Sequence, residues 1–339
     1  MAAPKITVFG AGLIGRRHVE QATAQARLAA IVDPTDAART LAAEAGVPHF
    51  ADPESYLAAE RPDGIVIATP NHLHAAHALA AIAAGVPVLI EKPLADTRDN
   101  ADRIVQAARA ADVPVLVGHH RRHNPIVARA KAEIAAGTLG QIVAVQGQFW
   151  LYKPADYFEA TWRKGPGAGP AMINFIHDVD LLRHFCGEIV EVQAMRSNVR
   201  RGQSVEDTAA VLLRFENGAL GTFSLSDTIA APWSWEMTSG ENPIYPHHPG
   251  TCYTIGGTQA ALSVPDLRLW SHDGPRSWWN PINAQTLQVD HADAFVRQFS
   301  HFIDVINGAP PLVSAEEGRA SLAAVLDVLQ ATLPAQETP

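Results

Sequence analysis

The chain has 339 residues, 47% apolar and 18% charged, which suits two domains with substantial cores and excludes a disordered chain. Acidic residues outnumber basic ones by 35 to 26 for a formal charge of −9, and no basic stripe with interleaved aromatics points to nucleic acid. Two cysteines, Cys186 and Cys252, are too few for a disulfide framework. No apolar run reaches the ~18 residues of a membrane span, and KITVFG begins without a leader, so a cytoplasmic protein with no membrane attachment is expected.

In chain order, KITVFG predicts a strand that runs into glycines, and a helical stretch extends from Arg16 to about Gln25. RLAAIVDP is a second strand, and DAARTLAAEAG a helix closed by Gly46 at the position of a left-handed cap. DGIVIATP predicts a strand, HLHAAHALAAIAAG an alanine-rich helix, and PVLIEKP a strand buried on both faces that ends in Glu91, Lys92 and Pro93. A helix over 97–111 and the strand VPVLVG follow. Apolar strands separated by helices of this length imply βαβ units and a doubly wound parallel sheet.

Gly10, Gly12 and Gly15 form G-x-G-x-x-G at the first strand-to-helix turn, where a backbone must bend tightly and approach a pyrophosphate. The helix starting at Leu13 and Ile14 aims free N–H groups at such a phosphate. Asp33 lies 18 residues beyond Gly15, at the end of the second strand, where a carboxylate accepts ribose hydroxyls. Pro34, Thr35 and Asp36 follow it with no arginine nearby. A 2′-phosphate would meet two carboxylates and no cation, so NAD is favoured over NADP.

Beyond about residue 123 the pattern changes. QIVAVQGQFWLY, IVEVQAMRSNV, DTAAVLLRFENGALGTFSLSDT, TCYTIGGTQAALSVPD and LRLWS predict long strands of a large, mostly antiparallel sheet, with a hairpin at Asn217-Gly218. All seven tryptophans fall in this half, where they pack under an open sheet, fill a subunit interface or face a sugar-like ligand. Residues 170–185 predict an amphipathic helix stopped by Gly187, and further helices are expected near 291–307 and 314–333. The expected organisation is a Rossmann domain over 1–120 and a second α/β domain over 121–339, whose last helices can pack back on the first.

VFGAGLIGRRH, Asp33, IATPNHLHAAHALAAIAAGVPVLIEKPLA, VGHHRRHNP and GPGAGPAMINFIHDVDLLRHFCGE together resemble the glucose-fructose oxidoreductase / inositol dehydrogenase (Gfo/Idh/MocA) family. The resemblance implies a Rossmann domain and an α/β domain with an open sheet that joins subunits into dimers or tetramers. It also implies a nicotinamide nucleotide and oxidation or reduction of a sugar, inositol or other polyol. Lys92 matches the family's catalytic lysine, and its bond to Pro93 is often cis in the family. An ammonium at the carboxyl end of a parallel strand can polarise a substrate oxygen. His177 matches the histidine that serves as general base, and its ordinary pKa near ~6.5 suits that task.

One departure from the family stands on this helix. The aspartate usual four residues before the histidine is Ile173 here, and Asn174 is the nearest polar group, with three-residue spacing expected to bring it beside His177. Asp178 and Asp180 are further candidates for the charge role. The resemblance also points to Thr69, Pro70, Asn71, His74 and Glu91 on the cofactor side, and to His120, Tyr152, Lys153 and Arg163 near the substrate. Fifteen histidines, with His74 and His77 one turn apart and pairs at 119–120 and 247–248, invite a metal reading. Neighbouring histidines diverge on a strand and no carboxylate stands at ligand spacing, so no metal is expected.

The leading expectation is an NAD-dependent dehydrogenase of a sugar, inositol or cyclic polyol. An NAD-retaining glycosidase or lyase would cleave substrate without NADH build-up. A non-catalytic NAD sensor would bind NAD and leave every polyol unchanged. The irregular segment 228–250, rich in Trp, Pro and His, is expected to line the pocket or bridge subunits.

Overall fold

A computed structural model of the protein describes residues 3–331. The chain divides into two compact units: one runs to Arg122 and resumes over Ala294–Leu322, the other takes His123–Asp293 and resumes at Ala323.

The first unit alternates β1 (Lys5–Phe9), α1 (Leu13–Gln25), β2 (Arg27–Val32), α2 (Asp36–Ala45), β3 (His49–Phe50), α3 (Pro53–Ala59), β4 (Gly64–Ile67), α4 (His74–Ala83), β5 (Val88–Glu91), α5 (Arg98–Ala111) and β6 (Val115–Gly118). All pairings are parallel, in the order β3-β2-β1-β4-β5-β6. Covering helices hide both faces of the central strands, so Val88, Leu89 and Ile90 of β5 are fully buried. Each such side chain contributes up to ~1.5–3 kcal/mol. Local signals set the helix ends. Thr35, Asp52 and Thr97 cap α2, α3 and α5 through side-chain oxygens, each worth ~1 kcal/mol. Gly46 closes α2 in the left-handed region, as its position predicts.

The second unit opens with α6 (Pro125–Ala135), capped by Asn124 with proline in the first turn, a helix placed ahead of the predicted strands. It continues through β7 (Ile142–Trp150), a π-helical turn (Ala171–Phe175), α7 (Ile176–Cys186), β8 (Ile189–Ser197), β9 (Thr208–Phe215), β10 (Leu220–Ser226), α8 (Trp235–Thr238), β11 (Thr251–Gly257), β12 (Ala260–Pro265), β13 (Arg268–Ser271) and β14 (Asn283–Thr286). The eight strands form one sheet, β14-β13-β12-β11-β7-β10-β9-β8, in which only the β7–β10 pairing is parallel. The β9–β10 hairpin turns at Asn217-Gly218, as expected. The single strand expected over TCYTIGGTQAALSVPD is instead the two strands β11 and β12, folded back at 258–259.

One sheet face is packed and the other open. Val211, Leu213, Phe223 and Leu225 are buried, while Leu212, Met195 and Leu220 on the opposite face are 55%, 79% and 52% exposed. Of the tryptophans only Trp235 is fully buried, and Trp278 and Trp279 are among the most exposed large residues, so packing does not account for the set. Helix α7 is buried on nearly every side, and burial pushes the Cys186 thiol up to about 12, leaving it protonated and inert near neutrality.

Two helices close the chain: α9 (Ala294–Ile306) and α10 (Ala315–Gln330). The boundary between the units falls inside α10, and residues 332–333 of the helix expected there lie outside the described residues. Phe295 and Phe299 of α9 stack on His18 of α1 at 4.6 and 6.2 Å between ring centroids. Among the described residues no helix is long and apolar enough to cross a membrane.

Candidate active site

At the carboxyl ends of its strands the first unit carries a site built on glycine. Gly10, after β1, has φ +92°, and a Cβ there would stand 2.6 Å from the Ala68 carbonyl oxygen. A Cβ on Gly15 would stand 2.1 Å from the Gly10 carbonyl oxygen, so this glycine lets α1 close onto the turn. A Cβ on Gly12 would meet nothing within 4 Å, which leaves the backbone open to an approaching group. Gly12 is also the N-cap of α1, with no side-chain cap and no acidic residue in the first turn, so the first amides and the positive end of the helix are free to meet an anion. Leu13 is exposed and Ile14 half-buried beside them. Tight turn, open approach and close packing are what a pyrophosphate cradle requires of three glycines.

Asp33, at the end of β2, accepts the Ala11 N–H (2.9 Å), the Thr35 N–H (2.9 Å) and the Thr35 hydroxyl (2.6 Å). Burial pushes its carboxyl up, but these hydrogen bonds and nearby His49 outweigh that and hold it below the usual range. A fixed, ionised carboxylate suits a ribose diol and opposes a phosphate. The segment after Asp33 does carry a cation, beyond the residues 34–36 that adjoin it. Arg39 stands one turn along α2, with its guanidinium 3.6 Å from the Asp36 carboxylate. The four structural features together fit a dinucleotide.

After β4, the Thr69 hydroxyl meets His77 Nδ1 at 3.1 Å, and Pro70 and Asn71 lead into a short 3-10 turn. His74 is buried with Nε2 2.8 Å from the Thr69 carbonyl and Nδ1 2.8 Å from the Pro93 carbonyl. It bridges the turns after β4 and β5; burial pushes its pKa down, and a neutral ring donates to one of the two carbonyls.

Strand β5 ends at Glu91, and half-buried Lys92 follows, joined to Pro93 by a cis bond. The Glu91 carboxylate is turned inward: Oε1 lies 2.8 Å from His18 Nε2, and Oε2 accepts the Lys92 N–H at 3.3 Å. Burial alone would raise this carboxyl. The His18 hydrogen bond and charge, then His120 and Lys92, hold it below the usual range. His120 opens a short 3-10 turn after β6. The cofactor-side residues picked from sequence therefore stand at the carboxyl ends of β1, β2, β4 and β5, and His120, picked for the substrate side, follows β6.

In the second unit the helix expected over 170–185 is not regular. Its first turn, Ala171–Phe175, is π-helical and carries Asn174, and α-helical geometry begins at Ile176, just before His177. The start of this turn is fixed by buried Glu206, which accepts the Ala171 N–H at 3.0 Å and pairs with Arg196 at 3.2 Å. Asn174 is held between two charges: Oδ1 accepts from Lys153 Nζ at 2.8 Å, and Nδ2 donates to Glu236 Oε1 at 3.4 Å.

Lys153 is 7% exposed, 3.6 Å from Asp227 and 5.0 Å over the Tyr157 ring. Burial lowers its pKa, opposed by Asp227 and Glu236. Asp227 is also bound by Arg201 Nε at 2.7 Å. His177 lies one residue into α7 and is 7% exposed. Asp178 accepts from the buried Tyr253 hydroxyl of β11, on the sheet side, and Asp180 is equally buried. Arg163 donates to the Tyr157 carbonyl at 2.7 Å and lies 4.2 Å over that ring, and Tyr152 is 59% exposed.

Sequence reading missed Glu236, Asp227 and His18. Glu236 sits within 228–250, the segment read as pocket-lining, and His18 closes the quoted motif VFGAGLIGRRH. Asp227 gives no signal beyond ending a strand. Among the described residues no group of three His, Cys, Asp or Glu side chains converges as a metal site requires.

Comparison with known proteins agrees with this construction. Residues 5–119 match the family model described as an oxidoreductase family with an NAD-binding Rossmann fold, and residues 127–263 match the GFO/IDH/MocA C-terminal domain. The chain is 29% identical over 280 residues to a 1,5-anhydro-D-fructose reductase of Ensifer adhaerens, covering 81% of this chain and 78% of the relative. It is 25% identical over 335 residues to a myo-inositol 2-dehydrogenase of Thermotoga maritima, covering 94% and 93%. The fold is shared with the WlbA dehydrogenase of Bordetella pertussis, solved with NADH and UDP-GlcNAcA: TM-score 0.77, 24% identity, 98% of this chain and 100% of that one. With both halves matched in order by the family's two models, this chain belongs to the Gfo/Idh/MocA family of NAD-binding oxidoreductases.

Proposed function

We propose that the protein is a dehydrogenase that oxidises a secondary hydroxyl of a sugar, inositol or other cyclic polyol with NAD, or runs the reverse reduction. The observation that carries this reading is Lys92, an ammonium at the carboxyl end of a buried strand, beside an ionised carboxylate in the unit that carries the dinucleotide cradle. Bound NAD supplies the hydride acceptor. Gly10, its own N–H donated to the Val32 carbonyl at 2.8 Å, turns the backbone so that the amides at Gly12, Leu13, Ile14 and Gly15 hold the pyrophosphate, Asp33 holds the ribose, and Thr69, Pro70, Asn71 and His74 set the nicotinamide side.

Lys92 polarises the reacting oxygen and stabilises the alkoxide charge that forms on it as the hydroxyl proton leaves, ahead of hydride departure. His177 takes the hydroxyl proton, so an alcohol leaves as a carbonyl and one proton is released. The array Lys153–Asn174–Glu236 presents donors and acceptors of both signs, which suits several neutral hydroxyls better than one strongly charged group. The names of two relatives, a reductase of 1,5-anhydro-D-fructose and a dehydrogenase of myo-inositol, lie in the same substrate class.

The open sheet face supports a homodimer or homotetramer: Leu212, Met195 and Leu220 make an exposed apolar surface on adjacent strands that a second copy would cover. The protein is read as working in the cytoplasm.

A screen of inositols, hexoses and anhydrosugars with NAD and with NADP, read at 340 nm, tests the reading. A neutral cyclic polyol is expected to form NADH faster than any phosphorylated sugar, with NAD preferred because Asp33 repels a 2′-phosphate. Substrate cleavage without NADH, or no turnover of any polyol, would sink it.

A further inference from the structure

The His18–Glu91 pair is costly for a folded protein to keep. The imidazole is fully buried and the carboxylate 8% exposed, and two apolar groups of the same shape would stabilise the fold at least as well. Geometry shows what the pair holds. One Glu91 oxygen meets His18 Nε2 at 2.8 Å and the other accepts the backbone N–H of Lys92 at 3.3 Å, so a single carboxylate ties helix α1 to the peptide that starts the lysine. His18 cannot swing away: Phe295 and Phe299 of α9 flank its ring, and the Arg17 guanidinium covers Phe295 at 4.2 Å. Glu91 cannot turn either, because it fills the space above Gly118 of β6, where a Cβ would stand 3.0 Å from Oε2.

We infer that His18 is a positioning residue for Lys92, acting through Glu91, and that it keeps a fixed negative charge and a fixed backbone anchor beside the lysine. The inference rests on the reading of Lys92 as catalytic. The charged and titratable groups facing Glu91 are His18 from α1, His120 after β6, His74 from α4 and Lys92 itself. Burial pushes the Glu91 carboxyl up, so without the His18 bond its protonation moves toward the working pH.

The test uses the full chain and the variants His18→Leu, His18→Gln and Lys92→Ala, with the best polyol from the screen. His18→Leu is expected to lower kcat at least about tenfold through misplacement of Lys92, with NAD affinity little changed. The acid limb of its pH–rate profile should rise by about one unit. His18→Gln, which keeps an N–H donor toward Glu91, should recover most of both. In the NAD-free protein the Glu91 carboxyl carbon, assigned by NMR with Glu91→Gln, should titrate at higher pH in His18→Leu than in wild type. Wild-type rates and titration in both His18 variants, with Lys92→Ala inactive, would overturn the inference and leave the Lys92 reading intact. A rate loss with an unmoved acid limb and titration would mark a packing role and overturn it as well. Normal rates in Lys92→Ala would remove the reading beneath it.

Discussion

Lys92→Ala is expected to lower kcat by roughly 10³-fold, about 4 kcal/mol of transition-state stabilisation, while NAD affinity stays close to wild type. The two effects separate because of how the residue is built in. Its backbone N–H goes to Glu91 and survives the substitution, so the turn after β5 keeps its anchor. What is lost is an ammonium held on the rigid end of a buried strand, where little reorganisation is needed to meet developing negative charge. Steady-state kinetics with NAD titrated by fluorescence checks both halves. A large loss of NAD affinity with a modest change in kcat would move Lys92 from the reaction to cofactor binding.

The second large effect concerns the glycines, where two similar substitutions should fail differently. Gly15→Ala drives a Cβ to 2.1 Å from the Gly10 carbonyl oxygen, a backbone atom that moves only if the loop moves. Overpacking of this kind costs about 1–3 kcal/mol, so both the melting temperature and NAD binding should fall. Gly12→Ala meets nothing within 4 Å and has φ −67°, which alanine adopts freely. It should fold and melt like wild type yet bind NAD at least about tenfold more weakly, because the added methyl occupies the pyrophosphate's approach. Calorimetry with and without NAD distinguishes them. Equal loss of stability in both would mean that Gly12 serves the fold rather than the ligand.

Much of this architecture is legible in the amino-acid pattern because local chemistry dictates it. Continuous apolar runs name the buried parallel strands, Gly46 and Gly187 stop their helices, Asn217-Gly218 turns a hairpin, and the glycine spacing marks the cradle. Features missed have no local signature. A five-residue π turn at 171–175 carries the same apolar content as an α-helical turn, so periodicity could not reveal it. The strand Asn283–Thr286 is exposed throughout and polar but for Ala284, and carries no alternation to read. Glu236 reaches Asn174 across 62 residues from a four-residue helix, and His18 reaches Glu91 across 73. Such pairs arise from tertiary packing and become visible only when the chain is folded. Arg163 meets Tyr157 six residues earlier in the chain, donating to its carbonyl and lying over its ring, a local contact that composition does not announce.

The most direct test of the central claim follows the hydrogen itself. A polyol substrate deuterated at its carbinol carbons, incubated with the protein and NAD, should deliver one deuterium to C4 of the nicotinamide ring, matched mole for mole by carbonyl product and seen by mass spectrometry and NMR of the isolated NADH. Deuterium lost to solvent, or cleaved substrate with the NAD unreduced at the end, would contradict net hydride transfer as the protein's reaction.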